Sequence, residues 1–126
     1  MNYLGIDWGE VRIGLALADG ETKIATPFKT VGNAAGVLKV VSDEQIDVVV
    51  VGEPVSITNY ELKITNKKFN DFVKSLKREL KISLELVDER LSSKAADALP
   101  GGRKSKAPRD AVAAMLILQS WLDRLN

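Results

Sequence analysis

Residues 3–19 read YLGIDWGEVRIGLALAD, which is two apolar runs joined by a polar turn. Apolar runs of this length, bounded by Gly and Asp, predict strands over residues 3–6 and 12–18. The Asp19-Gly20 pair that follows is a hairpin signal. Residues 23–31 then complete an antiparallel meander of three strands, and Pro27 marks either an edge or a bulge in the third strand.

The middle of the chain alternates helices with a strand. Asn33 is a candidate N-cap for a short helix whose Ala34, Leu38 and Val41 fall on one face. Residues 46–51 are mostly β-branched and do not alternate with polar residues, which predicts a central parallel strand covered on both faces. A helical apolar stripe then runs through a basic segment and is formed by Phe69, Phe72, Val73, Leu76 and Leu80.

The C-terminal third predicts a strand over residues 83–87 and a short helix over residues 92–99. A basic loop then leads to Pro108, which suits the first turn of a final helix. The apolar face of that helix consists of Ala111, Ala114, Met115, Leu118, Leu122 and Leu125. The right-handed crossover rule places the fourth and fifth strands beside the first and parallel to it. The sequence therefore predicts an α/β fold, a five-stranded mixed sheet with helices on both faces.

The composition limits the chemistry available to the chain. Its 126 residues, 45% of them hydrophobic, suffice for one compact core, so we predict one domain over residues 1–126. There is no apolar run of about 18 residues and no secretion signal, which predicts a cytoplasmic protein without a membrane partner. The absence of Cys and His excludes a thiol nucleophile, a structural zinc site and catalytic pairs with histidine.

Three carboxylates occupy positions that this topology would bring together. Asp7 ends the first strand, where a charge is unusual, although a turn cap between two hairpin strands explains it equally well on residue type alone. Glu89 follows the fifth strand directly and would reach the same rim, unless it is a solvated loop residue paired with Arg90. Asp110 lies in the first turn of the last helix, where the helix dipole alone would favour it. Alanines beside Asp110 would let this helix start approach the sheet.

Asp7, Glu89 and Asp110 together would form an all-oxygen site, which suits Mg²⁺ or Mn²⁺ better than zinc. Two such ions can activate a water and stabilise the leaving oxygen in phosphodiester hydrolysis. Glu53, which ends the fourth strand, is a fourth candidate ligand. Its alternative role is that of a turn residue before Pro54.

Basic residues fall in two segments of the chain. The second segment contains Arg103, Lys104, Lys106 and Arg109, and beside a metal site it would give salt-dependent, weakly sequence-specific binding to phosphates. The lysines of the earlier helix are explained more simply as a solvated face. Trp8 is a candidate for stacking on an unpaired base, with core packing as the simpler use.

The whole chain resembles the YqgF, or RuvX, family in a series of short blocks. In order, these are GIDWG (5–9), RIGLA (12–16), Asp19, VVVG (49–52) before Pro54, VDERLSS (87–93) with Ala96, DAVAA (110–114) and ILQ (117–119). The resemblance implies an RNase H-like fold related to that of Holliday-junction resolvases. It also implies a nuclease that acts in maturation of the 16S rRNA 5′ end.

Carried over by position, the family's acidic set falls on Asp7, Glu89 and Asp110. The family's arginine after the first turn falls on Arg12, whose alternative role is a structural ion pair. Glu53 stands where the family has leucine before proline, which leaves it open as an additional ligand. The implied partner is precursor rRNA in a pre-ribosome, with a DNA junction as the alternative substrate. The expected form is a monomer or weak homodimer.

Three functions compete at this point. The first is a metal-dependent endonuclease acting on structured nucleic acid. The second is a non-catalytic RNA-binding factor for ribosome assembly, in which the acidic residues are structural. The third is a nucleotide-binding ATPase, because strand-Asp-x-Gly hairpins also occur in the actin and sugar-kinase fold, but the single copy of the motif in this chain argues against it.

Overall fold

The computed structural model describes residues 1–53, 60–88 and 108–125 of the chain. The strands found there are β1 (Asn2–Asp7), β2 (Ile13–Asp19), β3 (Thr26–Val31), β4 (Val48–Glu53) and β5 (Ser83–Asp88). The helices are α1 (Ala34–Asp43), α2 (Tyr60–Glu79) and α3 (Arg109–Arg124). The helix predicted over residues 92–99 lies outside the described residues.

The strands form one mixed sheet in the order β3-β2-β1-β4-β5. β1 pairs antiparallel with β2 and parallel with β4, and β5 is parallel to β4. The predicted five-stranded mixed sheet is therefore confirmed, and β4 is the central one of its three parallel strands, between β1 and β5. The carboxyl ends of β1, β4 and β5 lie at the same end of the sheet, where open sheets with parallel strands carry their sites.

Both faces of the sheet are covered. Leu4, Ile6 and Val49 belong to a core shared with α1 and α2, whereas Tyr3 and Val50 belong to a second core shared with α3. The run Val48, Val49, Val50, Val51 supplies side chains to both cores, which explains why β4 lacks polar alternation. No helix in the described part of the chain is long and apolar enough to cross a membrane.

Helix α1 begins and ends with recognisable caps. The Asn33 side chain accepts a hydrogen bond from the Gly36 N–H at 2.9 Å, which confirms the predicted N-cap. At the other end, Gln45 has φ 51°, and the N–H of Ile46 donates to the Val41 carbonyl at 3.0 Å. The Gln45 N–H donates to the Ser42 carbonyl at 3.3 Å, so the helix closes with a Schellman motif.

The buried face of α1 differs from the predicted one. Val37 and Val40 are its fully buried residues, whereas Ala34, Leu38 and Val41 are only partly buried. Leu38 and Val41 line an open groove that α1 forms with the segment after α2, and this groove leaves them accessible to solvent.

The connection between β2 and β3 is wider than a two-residue hairpin turn. Six residues, 20–25, separate the two strands, and the Asp19 carboxylate accepts the N–H groups of Glu21 at 2.9 Å and Thr22 at 2.8 Å. Pro27 lies on the edge strand, and the register with β2 shifts beside it, from Leu15 opposite Lys29 to Ala16 opposite Pro27. The prediction of an edge or a bulge at Pro27 is confirmed in both senses.

The final helix follows Pro108 as predicted, and its buried face agrees with the predicted one except at Met115, Ile117 and Leu125. Ala111, Ala114, Leu118 and Leu122 are buried as expected, and Ile117 joins them. Met115 is only partly buried, and Leu125 is 50% exposed because it follows the last helical residue. Ile117 fits against the sheet because Gly52 of β4 has no side chain at this contact.

Candidate active site

Asp7 ends β1 on the face that α3 covers. Tyr3, Gly5 and Asp7 share that face because successive side chains of a strand alternate. The Tyr3 ring lies 5.6 Å from the Trp121 ring, near the end of α3. A Cβ on Gly5 would lie 2.6 Å from Leu118 Cβ, in the middle of α3. The helix therefore runs antiparallel to β1, and its first turn lies at the Asp7 end.

Gly14 fixes how close that first turn comes to Asp7. Gly14 is the β2 partner of Asp7, and a Cβ on Gly14 would collide with the carbonyl oxygen of Asp110 and with the Ala111 nitrogen. Ala111 is fully buried at this contact. The backbone at Asp110 thus lies directly over the residue paired with Asp7, which brings both carboxylate-bearing residues to one end and one face of the sheet.

Asp110 forms an ion pair with Arg12 in the β1–β2 turn. Arg12 Nε lies 3.3 Å from Asp110 Oδ2, and the two side chains are 72% and 35% exposed. Arg12 therefore forms an ion pair, which is the alternative role considered for it from the sequence. The pair lies at the same end of the sheet as Asp7, and the Arg12 guanidinium remains accessible from solvent.

Glu53 ends β4 at the same end of the sheet but on the opposite face. Gly52 lies on the α3 face, since a Cβ there would collide with the Ile117 side chain. Val51 belongs to the α1/α2 core, and alternation places exposed Glu53 on that same side. Glu53 is therefore separated from Asp7 and Asp110 by the sheet itself.

Several predicted site residues lie outside the described residues, namely Glu89, Arg103, Lys104 and Lys106. In the chain, Glu89 directly follows Asp88, the last residue of β5. Arg109 is described and is exposed in the first turn of α3, beside Asp110.

Asp7 and Asp110 fit one requirement of a magnesium or manganese site, since carboxylate oxygens are the donors that these ions prefer. Within residues 1–53, 60–88 and 108–125 no group of three Asp, Glu, His or Cys residues is placed to hold a metal ion. Of the predicted ligands, Asp7 and Asp110 lie at the same end and on the same face of the sheet, and Glu89 lies outside the described residues.

Trp8, next to Asp7, packs into the core. Its ring lies 5.8 Å from Phe69 and 6.4 Å from Phe72, both on α2. Beside it, the Lys68 ammonium lies 3.6 Å from a Glu10 carboxylate oxygen. Trp8 therefore packs the loop after β1 against α2, as expected for its core-packing role.

Sequence reasoning missed two glycines of this site. Gly14 and Gly52 each occupy a position inside an apolar strand where a side chain would meet α3. A glycine within a strand costs stability, and it is a known signal for a close approach of another backbone. The pattern Gly5, Gly14 and Gly52 on three neighbouring strands was therefore the available clue to where α3 docks.

A protein-family model described as "RuvX: Holliday junction resolvase" matches residues 1–124. The chain belongs to the RuvX family. A relative of this RuvX chain from Maridesulfovibrio salexigens is 35% identical over 98% of this chain and 99% of its own length. Another from Bifidobacterium adolescentis is 36% identical over 98% of both chains. Both relatives carry the name "Putative pre-16S rRNA nuclease".

Solved structures similar to this RuvX chain include T. thermophilus RuvC in complex with Holliday junction substrate. That chain is 20% identical with a TM-score of 0.70, covering 100% of this chain and 96% of its own. The fowlpox virus resolvase, bound to Holliday junction DNA, is 12% identical with a TM-score of 0.59 and covers 99% of both chains. These likenesses establish the RNase H-like fold of this RuvX chain.

Proposed function

We propose that this chain is a metal-dependent endonuclease that hydrolyses phosphodiester bonds of structured nucleic acid. The observation that supports the proposal is the close approach of the Asp110 backbone to Gly14, the β2 partner of Asp7, in a member of the RuvX family. Of the two remaining candidate functions, an ATPase has no support in the described residues. A non-catalytic RNA-binding factor remains an outcome of the experiment below.

The proposed ligands are Asp7, Asp110 and Glu89. Mg²⁺ or Mn²⁺ held by these carboxylates would supply an activated water and neutralise charge on the phosphate. Arg12 and Arg109 lie at the same end of the sheet and would contact backbone phosphates, with Arg103, Lys104 and Lys106 of the basic loop. We leave Glu53 out of the proposed ligand set because it lies on the other face of the sheet.

The proposed substrate is precursor 16S rRNA near its 5′ end. This follows the name carried by the relatives that are 35% and 36% identical over nearly the full length. The substrate would place the protein in the cytoplasm, in contact with pre-ribosomal particles, as a monomer or weak homodimer. A DNA four-way junction is the second substrate to test, because the description of the matching family model names a Holliday junction resolvase.

The experiment incubates the wild type and Asp7→Asn with a precursor rRNA fragment and with a four-way DNA junction, each with Mg²⁺, Mn²⁺ or chelator. Wild type should give discrete products only with metal, and Asp7→Asn should lose at least about 100-fold in rate. Asp43→Asn, an exposed carboxylate at the end of α1, serves as the control and should cleave normally.

The same experiment separates the alternatives. Cleavage by Asp7→Asn at the wild-type rate would disprove the proposed mechanism. RNA binding that persists in chelator, without products under any metal condition, would favour the assembly-factor function. Faster cleavage of the junction than of the rRNA fragment would show that the substrate is DNA and not RNA.

A further inference from the structure

The ion pair between Arg12 and Asp110 occupies a carboxylate that the proposed function assigns to a metal ion. Arg12 Nε lies 3.3 Å from Asp110 Oδ2, well within ion-pair distance. A carboxylate beside a guanidinium is less attractive to a divalent cation, because the positive charges repel each other at this range. Arg12 and a metal ion therefore compete for Asp110.

The ion pair is not what fixes α3 on the sheet. Fully buried Ala111 and Ala114 and the Gly14 contact already hold the first turn of the helix. Exposed ion pairs contribute little to stability, and the Arg12 side chain is 72% exposed. An electrostatic role toward Asp110 explains the position of Arg12 better than a structural one.

We propose that Arg12 is an exchangeable counter-ion of Asp110, which the metal ion displaces and which then binds a substrate phosphate. This inference rests on the proposed function and makes Arg12 a substrate-binding residue within it. A long, exposed side chain at a turn can reach either partner without moving the backbone. The guanidinium group is suited to both, since its planar array of donors matches carboxylate and phosphate oxygens alike.

The exchange of Arg12 between Asp110 and phosphate couples metal binding to substrate binding. A metal ion on Asp110 frees Arg12 for phosphate, and a phosphate that draws Arg12 away leaves Asp110 open to the metal. Each ligand therefore increases the affinity for the other, and the coupling is reciprocal. Removing the Arg12 charge should tighten metal binding and weaken nucleic-acid binding at the same time.

The test measures Mn²⁺ affinity by calorimetry for the wild type, Arg12→Gln and Arg109→Gln. Arg12→Gln should bind Mn²⁺ about two- to fivefold more tightly, the factor expected when one exposed ion pair no longer competes. Arg109→Gln is the matched control, with the same charge change one residue from Asp110, and its Mn²⁺ affinity should change less than twofold. Arg12→Lys keeps the charge and should stay close to the wild type.

A second readout is the affinity for a short RNA duplex in the presence and absence of Mn²⁺. Mn²⁺ should increase RNA affinity of the wild type more than that of Arg12→Gln. Unchanged or weaker Mn²⁺ binding by Arg12→Gln would overturn the inference while leaving the nuclease proposal intact, provided that Asp7→Asn abolishes Mn²⁺ binding. If no form of the protein binds Mn²⁺, both proposals fail.

Discussion

Gly14 is the single residue on which the proposed site depends most. An alanine Cβ there would collide with the Asp110 backbone, so the start of α3 would have to move away from the sheet. We expect Gly14→Ala to lose about 1–3 kcal/mol of unfolding free energy, as overpacking in a close contact usually does. Cleavage should fall further than stability alone explains, because Asp110 moves with the helix. Urea unfolding and the rate of rRNA-fragment cleavage measure the two effects.

Gly32 provides the control for this substitution. Nothing lies within 4 Å of a Cβ built on Gly32, so Gly32→Ala should stay within about 0.5 kcal/mol of the wild type. Equal stability of the Gly14 and Gly32 variants would mean that α3 does not rest on β2 as described.

At the residue scale, Asp7 could be singled out from the sequence, and Asp110 only in part. A charge that ends an apolar strand is visible in one dimension, and so is a carboxylate in a helical first turn. Their proximity depends on glycines in two other strands, and no local pattern reports it. The sheet face on which Glu53 lies follows from alternation, because Glu53 is two residues after Val51 and shares its face. That face can be identified as the one away from Asp7 only when the two cores are known.

At the element scale, the end of α1 carries an unfavourable backbone conformation. Gln45 adopts φ 51° in a Schellman motif, a position where glycine is the usual residue. We expect Gln45→Gly to stabilise the protein by about 0.5–1 kcal/mol, because it removes the left-handed strain on a side-chain-bearing residue. Glu44→Gly is the control: Glu44 has φ −95°, so glycine relieves nothing there and should give no gain. Urea unfolding compares the two, and a destabilised Gln45→Gly would contradict the prediction.

The turn after β2 should make stability depend on pH. The N–H of Thr22, and then that of Glu21, hold the pKa of Asp19 below its ordinary value, outweighing the opposite effect of desolvation. A folded pKa below the unfolded one gives stability that is present above about pH 4 and is lost as pH falls through the folded value. Asp19→Ala should therefore lower the Tm at pH 7 and have a smaller effect at pH 3.

Thermal unfolding of Glu21→Ala at the same two pH values is the comparison for the Asp19 variant. Glu21→Ala keeps the backbone N–H that donates to the Asp19 carboxylate, so its effect on the Tm should be small at both pH values. An Asp19→Ala effect of equal size at both pH values would show that the carboxylate charge contributes nothing to the turn.

Most elements were predictable because each has a local signal. The β4 run is apolar without alternation, Asn33 precedes its helix, and Pro27 marks an irregular edge. The deepest residues of helices were less predictable, as Val37 and Ile117 show, because burial depends on what faces the helix. Ile117 is buried against the space that Gly52 leaves on β4, a contact between residues 65 positions apart. Helical periodicity cannot report a contact of that kind.

At the scale of the whole molecule, nucleic-acid binding should depend on local charge and not on the net charge of +1. Arg12 and Arg109 lie at the proposed site, so Arg12→Gln and Arg109→Gln should each reduce the slope of log affinity against log salt by about 0.7–1. Arg124→Gln, at the other end of α3, should leave the slope unchanged. Binding to an RNA duplex at several KCl concentrations measures the slopes. Equal slopes for all three variants would show that Arg12 and Arg109 do not contact nucleic-acid phosphates.

The order of elements along the chain has a consequence for synthesis. β1 and β2 are made before α3, which covers them both, so the second core forms only when α3 has left the ribosome. The proposed carboxylate pair is divided in the same way, with Asp7 near the start of the chain and Asp110 near its end. A nascent chain whose α3 is still inside the ribosome therefore lacks one of the two proposed carboxylates, and any cleavage at the proposed site would begin only after that helix has docked on the sheet.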